Sequence, residues 1–413
     1  MKSVKTDILV IGGGVIGSSV AMQLSRLGAQ SVRVVDFDLE GSLSSSELNA
    51  GGVRATWNQP INIQMAKTSI EYFAQAEVAR DVGYRDCGYL WLQTPGGMPQ
   101  ALRARELQQK MGWEVEALDV AELRRRVPFI DKTDDLAGAI FGKRDGLVNP
   151  NLLKNHYRRK ARECGVVFDD RIWVSSARMP VSSPAGAVSP IRIFADSYPR
   201  VFSNEFKVQV LSGQSPERDA EPVEYEAGLV VNCAGPWAAK ISGILGYRTP
   251  SKPIRRQVSI FDCRDVDLTP YGMIVDPSGV YFHPEASNGL AGFATRDEPA
   301  GVNYAYDGES FFTETIWPAL YERSSKFERL KHLTGWAGLY EVSPDESAII
   351  GAAPGHERVF ECHSFSGHGV MHSFAAGLAV AEQILGKPWS IDVTPLSGGR
   401  FETGALVRET QVI

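Results

Sequence analysis

The sequence predicts an α/β chain in which a Rossmann-type nucleotide-binding domain is interleaved with an α+β domain built on a mostly antiparallel sheet. Three observations carry this prediction. An Ile- and Val-rich run at 7–11 leads directly into Gly-x-Gly-x-x-Gly at Gly12, Gly14 and Gly17. A second apolar strand, 228–233, arrives much later in the chain and ends in the small residues Ala234 and Gly235, as a buried parallel strand facing a ligand crevice does. Between 252 and 329 the pattern turns to alternating and aromatic runs (257–261, 279–284, 289–294), which suits antiparallel strands. At 413 residues the chain exceeds one ordinary core, so two domains are expected.

The first element is a strand over 7–11, followed by a helix from Val15 to Leu27 that Gly28 ends. Each glycine between them has its own task. Gly12 permits the tight turn, Gly14 lets the backbone approach a pyrophosphate, and Gly17 lets helix and strand pack closely. The unpaired N–H groups and dipole of the helix N-terminus favour the phosphates. A second strand, 31–35, ends at Asp36, 19 residues after Gly17, where an acid binding a ribose hydroxyl falls. The acid disfavours a ribose phosphate, so FAD or NAD is preferred over NADP.

The small polar stretch 41–52 can wrap a ligand and donate hydroxyl and backbone N–H groups. Arg54 and Trp57 follow, then a helix predicted over 60–82. From 84 to 145 the pattern is mixed, with a strand at 87–92 and an amphipathic helix at 100–111. Asn149 is placed to cap a helix over 152–164, closed by Gly165 and followed by a strand at 166–168. Residues 175–190 and 212–222 are rich in Ser, Pro and Gly and read as loops, flanking strands such as 206–211. Near the end, 364–369 forms a tight loop ahead of a helix over 370–385, stopped by Gly386 and Pro388.

Composition narrows the function. A net charge of −6 gives no reason to expect nucleic acid or an anionic membrane. Five scattered cysteines without Cys-x-x-Cys spacing indicate neither a disulfide framework nor zinc, and the histidines show no ligand spacing, so no metal is expected. No apolar run approaches the roughly 18 residues of a membrane span. The early first strand leaves no room for a signal peptide, so a cytoplasmic location is expected.

Taken together, four blocks resemble the D-amino-acid oxidase superfamily of FAD-dependent oxidoreductases, nearest to its sarcosine oxidase and dimethylglycine dehydrogenase branch. They are residues 7–36, Asn49-Ala-Gly-Gly-Val-Arg54, 229–237, and 336–377 with Trp336-Ala-Gly-Leu-Tyr-Glu, Pro344-Asp345 and Phe365-Ser-Gly-His-Gly369. The resemblance implies an FAD-binding domain of 1–83, 146–245 and 332–413, and a substrate domain of 84–145 and 246–331. It implies that Gly12, Gly14, Gly17 and Asp36 hold the pyrophosphate and adenosine ribose. Ser44, Ser45, Asn49, Ala50 and Gly51 then line the phosphates and ring, Val174 meets adenine through its backbone, and Ala234-Gly235 passes close to the cofactor. Gly367, His368 and Gly369 face the pyrimidine side of the flavin, where the helix dipole stabilises the charge of reduction.

Departures from the pattern refine the expectation. Members that attach flavin covalently use a histidine where this chain has Asn49, or a cysteine that aligns with Gly338, so non-covalent FAD is expected. The arginine that binds the substrate carboxylate in glycine and D-amino-acid oxidases falls at Tyr340. Of the sarcosine oxidase clamp, Arg54 matches the arginine and Met371 replaces the lysine. A lysine linked to oxygen reactivity aligns near Ala291, and its absence favours a dehydrogenase or slow oxidase.

The implied reaction is oxidation of a secondary or tertiary amine, such as an N-alkyl amino acid, by hydride transfer to flavin N5 and imine hydrolysis. No nucleophile or metal is required. Arg54 is the first candidate for the substrate, since a guanidinium matches a carboxylate in two-point geometry, against a structural salt bridge as the plain alternative. Tyr281 matches an active-site tyrosine. Met371 offers an apolar wall, and Trp336, with Trp57 and Trp91, can cage an alkylated amine or simply pack. Rival readings are a D-amino-acid or glycine oxidase, and a flavin-carrying subunit or assembly factor without amine-oxidising activity. An electron-acceptor protein or partner subunit is the expected macromolecular partner.

Overall fold

The computed structural model describes residues 2–412, apart from 181–188, 201–202, 215–218 and 296. One sheet is centred on Lys2–Ile11, which runs parallel to Glu221–Asn232 on one side and to Val32–Val35 on the other. Val359–His363 and Val167–Asp169 extend the parallel core outward. Ile349–Ala352, Ile191–Ser197 and Ile172–Arg178 are added antiparallel. The central strands are buried on both faces, which is why 7–11 and 228–233 read as unbroken apolar runs.

The helices Val15–Arg26, Pro150–Glu163 and Gly369–Ile384 pack against one another. Gly377 makes the closest of these approaches possible, since a Cβ there would lie 2.4 Å from Ser19 Oγ. Asn149 caps its helix as expected, its side-chain oxygen accepting from the N–H groups of Asn151 and Leu152 at 3.0 Å each.

The second sheet runs Lys331–Val342, Lys252–Asp262, Asn288–Phe293, Tyr281–Glu285, Met273–Val275, Tyr89–Gln93, Gly138–Gly142 and Val115–Leu118. Only Met273–Val275 with Tyr89–Gln93 is parallel. Its faces divide the core. Val258, Ile260, Tyr281 and Leu290 join the cluster that includes the helices of the first sheet. Phe261, Phe282 and Ala291 point into a separate cluster on the far side.

Several local expectations change. The helix predicted over 60–82 is two, Pro60–Phe73 and Ala76–Val82, because Gln75 is extended (φ −62°, ψ 130°) and restarts the chain. The apolar stretch at 206–211 is part of a helix, Asn204–Leu211, started by Ser203 Oγ, which accepts from Phe206 N–H. The strand Ile172–Arg178 extends into the stretch read as loop from 175; 181–188 and 215–218 of the two expected loops lie outside the described residues. Lys331–Val342, grouped by sequence with the nucleotide-binding segments, is the edge strand of the second sheet.

Candidate functional site

The glycine-rich turn is built as the spacing demands. Gly12 has φ +104°, and a Cβ there would lie 2.3 Å from the Cys233 carbonyl oxygen; one on Gly17 would lie 1.9 Å from the Gly12 carbonyl oxygen. The first helical turn carries no acid, and the Val15 N–H donates to Ser46 Oγ at 2.9 Å. A cavity opens beside it, lined by Gly12, Gly14, Asp36, Ser44, Ser45 and Asn49. Val174, Ala234, Gly235, Gly367 and Gly369 continue its wall. Gly17, Ala50, Gly51, Gly338 and His368, expected at the cofactor, do not line the cavity.

Asp36 accepts from the N–H groups of Gly13 and of Asp38, the latter at 2.7 Å, so two backbone donors fix its carboxylate at the cavity edge. Burial pushes its carboxyl above the usual value, against the pull of those two N–H groups and of Arg158. Asn49 shapes the loop above: its amide nitrogen donates to the carbonyls of Ser45 and Ser46 at 3.2 and 3.0 Å, and its oxygen accepts from Gly51 N–H at 2.7 Å.

Sequence reasoning missed four residues of this cavity that matter to its chemistry. Arg158 donates to the Gly13 and Leu39 carbonyls, bringing a guanidinium behind the glycine turn. Lys240 lies 4.0 Å from the ring centre of Trp173, and both line the cavity. Glu341 also lines it; its Oε2 is buried without a hydrogen-bond partner among the described residues. Burial raises its carboxyl pKa, opposed by His363 and by the backbone at Ser364 and Phe365.

These features fit FAD. A helix N-terminus without an acid in its first turn and a nearby guanidinium suit a pyrophosphate, and Asp36 suits a ribose. The orphaned Glu341 oxygen, 3.8 Å from where a Gly235 Cβ would stand, suits a sugar-like hydroxyl on the linking chain. Replacing Glu341 with Ala is expected to weaken FAD binding by about 1.5–3 kcal/mol, the worth of a hydrogen bond to a charged group. Titrating apoprotein with FAD by flavin fluorescence checks this; unchanged affinity would remove Glu341 from the site.

The substrate-side candidates gather around the second sheet. Arg54 is 1 % exposed, its guanidinium 3.4 Å from the ring centre of Trp57 and 4.7 Å from that of Trp91. Its Nη1 donates to Thr56 O at 2.9 Å and its Nη2 to Gln411 O. It makes no salt bridge among the described residues, so the structural ion pair weighed for it is absent. The aromatic cage considered for an alkylated amine is instead filled by this guanidinium, and Trp336 sits apart, donating Nε1–H to Leu48 O at 2.9 Å.

Tyr281 is buried, and burial, reinforced by Tyr340 and Tyr89, holds its phenol well above the ordinary value, so it remains a neutral O–H. His368 stacks edge-on against Trp57, ring centres 4.2 Å apart, and Met371 is buried one turn along the same helix. Burial keeps His368 well below the usual histidine range and takes His372 down to about 3, so both are neutral near pH 7. Ala291, the position compared with a lysine, points into the far-side cluster. Its neighbour Gly292 faces inward, where a Cβ would lie 2.3 Å from Tyr281 Oη, and it too brings no amine.

Residues 7–383 match the family model described as DAO, FAD dependent oxidoreductase. This chain is a member of the DAO family of FAD-dependent oxidoreductases. Within it, the chain is 31% identical to FAD-dependent oxidoreductase domain-containing protein 1 of Xenopus laevis, over 99% of this chain and 85% of that protein. Similarity to monomeric sarcosine oxidase of Streptomyces avermitilis is lower, 26% identity over 92% of this chain and 93% of that protein. The sarcosine branch is therefore a more distant likeness than the sequence motifs imply. Among solved structures, L-proline dehydrogenase from P. horikoshii superposes with TM-score 0.81 at 24% identity, over 98% of this chain and 100% of that one. Glycine oxidase from Geobacillus kaustophilus gives 0.75 at 20%, over 95% and 98%. These two likenesses carry the fold of this DAO-family chain. Among the described residues, no helix is long and apolar enough to cross a membrane and no cluster of side chains suits a metal.

Proposed function

We propose that this protein oxidises a carboxylate-bearing secondary or tertiary amine, an N-alkyl amino acid in the simplest case, using non-covalently bound FAD. The observation that carries the reading is the Arg54 guanidinium: buried, stacked on Trp57, beside the glycine-flanked His368, and without a carboxylate at ion-pair distance. Asp145 and Glu409 act on this buried cation only through space, so a ligand carboxylate in contact would offset more of the cost of its burial. Bound FAD supplies the two-electron acceptor for hydride removal from the carbon next to the amine nitrogen.

The chain's own residues orient and desolvate. Tyr281 keeps an O–H available, Met371 adds an apolar wall, and the aromatic rings around Arg54 exclude water. Neutral His368 and His372 add no positive charge against the substrate amine. Asn49, an amide committed to its own loop, and Gly338, without a side chain, support a cofactor held without a covalent bond. The lack of an amine at Ala291 or Gly292 supports an electron acceptor other than oxygen.

An anaerobic panel of sarcosine, N,N-dimethylglycine, L-proline, opines and D-amino acids tests the reading, with oxygen admitted afterwards. At least one N-alkyl amino acid is expected to bleach the flavin, and reoxidation by oxygen to be slow. Flavin that stays oxidised throughout would favour a flavin-carrying subunit. Arg54→Met is expected to raise KM for the bleaching substrate roughly 10-fold, from the loss of its positive potential at the substrate, at unchanged FAD content; equal loss of both would make Arg54 structural.

A further inference from the structure

Arg54 has the right charge, but its two outer nitrogens already donate to the Thr56 and Gln411 carbonyls. A second guanidinium stands nearby with its bonding capacity largely open. Arg256 lies on the strand Lys252–Asp262, directly across the ladder from Gly338. Directly opposed residues of an antiparallel pair present their side chains to the same face. Gly338 faces Leu48 of the cofactor loop, where a Cβ would lie 3.1 Å from Leu48 Cβ. Alternation agrees: Val258 and Ile260, on the same face as Arg256, pack toward the first domain.

The guanidinium carbon of Arg256 is 5.2 Å from the ring centre of Tyr340, which lines the cofactor cavity and packs against Gly367. The charge also acts on Tyr281. Its one hydrogen bond among the described residues goes to the backbone oxygen of Arg255, and its Nε is buried without a partner. Glu346 senses the charge but forms no ion pair with it. The contrast with its neighbour is sharp. Arg255, on the opposite face, bonds Glu298 at 2.8 and 3.1 Å and Asp307 at 2.9 Å. The chain thus neutralises the arginine that faces away and leaves open the one beside the tyrosines.

We infer that Arg256 makes the direct contact with the substrate carboxylate, while Arg54 supplies positive potential from behind the aromatic wall. This rests on the reading of the site as one for a carboxylate-bearing amine, and it assigns the anchoring role to a residue of the second sheet. A guanidinium with adjacent free N–H groups accepts a carboxylate in two-point geometry, whereas a neutral amide of the same shape offers no matching charge.

The test uses the flavin-loaded protein and two probes of one size, propionate and propionamide, followed by perturbation of the flavin absorption. Wild-type protein is expected to bind propionate. Arg256→Gln should weaken that binding roughly 10- to 100-fold and Arg256→Lys by less, with propionamide binding, FAD content and far-ultraviolet circular dichroism unchanged. Propionate affinity within threefold of wild type in Arg256→Gln, a matching loss for propionamide, or no propionate binding by wild type would each overturn the assignment. Propionate binding that depends on Arg256 in a protein whose flavin no amine reduces would leave the anchor standing and remove the amine-oxidation reading alone.

Discussion

Gly17→Ala is expected to yield protein that no longer retains FAD, with affinity lowered at least roughly 100-fold. The methyl group would enter space held by the Gly12 carbonyl oxygen at 1.9 Å and by the Cys233 Cβ at 3.2 Å. Both atoms sit just past the ends of central strands, Lys2–Ile11 and Glu221–Asn232, and cannot step aside as the far end of a flexible side chain does. The helix Val15–Arg26 must shift instead, carrying with it the N–H groups that face the phosphates. Gly243→Ala is the control, since a Cβ there meets nothing within 4 Å. It sits inside the helix Ala238–Ile244, where Ala is favoured over Gly by about 0.5–1 kcal/mol. The absorbance ratio of bound flavin to protein after gel filtration reads both variants. Full flavin occupancy in Gly17→Ala would show that the helix and strand need not touch for the cofactor to stay.

The cofactor half of this molecule was legible because its signals are local. Strand, turn, helix, strand and acid occur in order within 36 residues, and Gly12 and Gly17 each answer to a backbone constraint found in the structure. Glu341 escaped notice because an acid at the end of a strand is usually solvated; its orphaned oxygen is visible only once Gly235 lies opposite.

The substrate half is assembled by register and by distant chain. Gln411 reaches Arg54 across 357 positions, and no periodicity announces such a contact. Arg255 and Arg256 are adjacent and chemically alike, yet side-chain alternation sends one to two carboxylates and the other to Tyr340. The same two-residue period explains Ala291. A likeness displaced by one residue in a strand names the wrong face, and here the inward position is Gly292. Trp57 and Trp91, open to reading as a cage for an alkylated amine or as core packing, flank a cation that belongs to the protein.

The segment that covers Arg54 is itself held by two carboxylates, Asp345 and Glu409. Asp345 pairs with Arg400 through both oxygens, at 2.8 and 2.9 Å, and accepts from Val407 N–H at 2.9 Å, while its own carbonyl accepts from Glu409 N–H at 3.1 Å. Glu409 continues the tie, accepting from the N–H groups of Asn58 and Gln59 at 3.2 Å each and from Asn62 Nδ2 at 3.1 Å. Asp345→Ala strands the Arg400 guanidinium, 4 % exposed, without its counter-charge. Breaking a buried pair from one side costs about 3–5 kcal/mol, so a marked fall in unfolding free energy is expected. Asp345→Leu combined with Arg400→Met should recover much of it, because removing both charges removes the stranded one. Acidity gives a second reading. Burial raises the Asp345 carboxyl, but the Arg400 hydrogen bonds and charge, with the Val407 and Ser347 N–H groups, outweigh it and hold it below the usual aspartate value. A carboxyl depressed by folding stabilises above its unfolded pKa and loses that contribution as pH falls through the lower folded value. The stability gap between wild type and Asp345→Asn should therefore be full at neutral pH and shrink as pH drops below about 4. Denaturant unfolding across that range measures the gap; a gap that stays constant would mean that the Asp345 charge contributes nothing and that the segment over Arg54 is held by its other contacts.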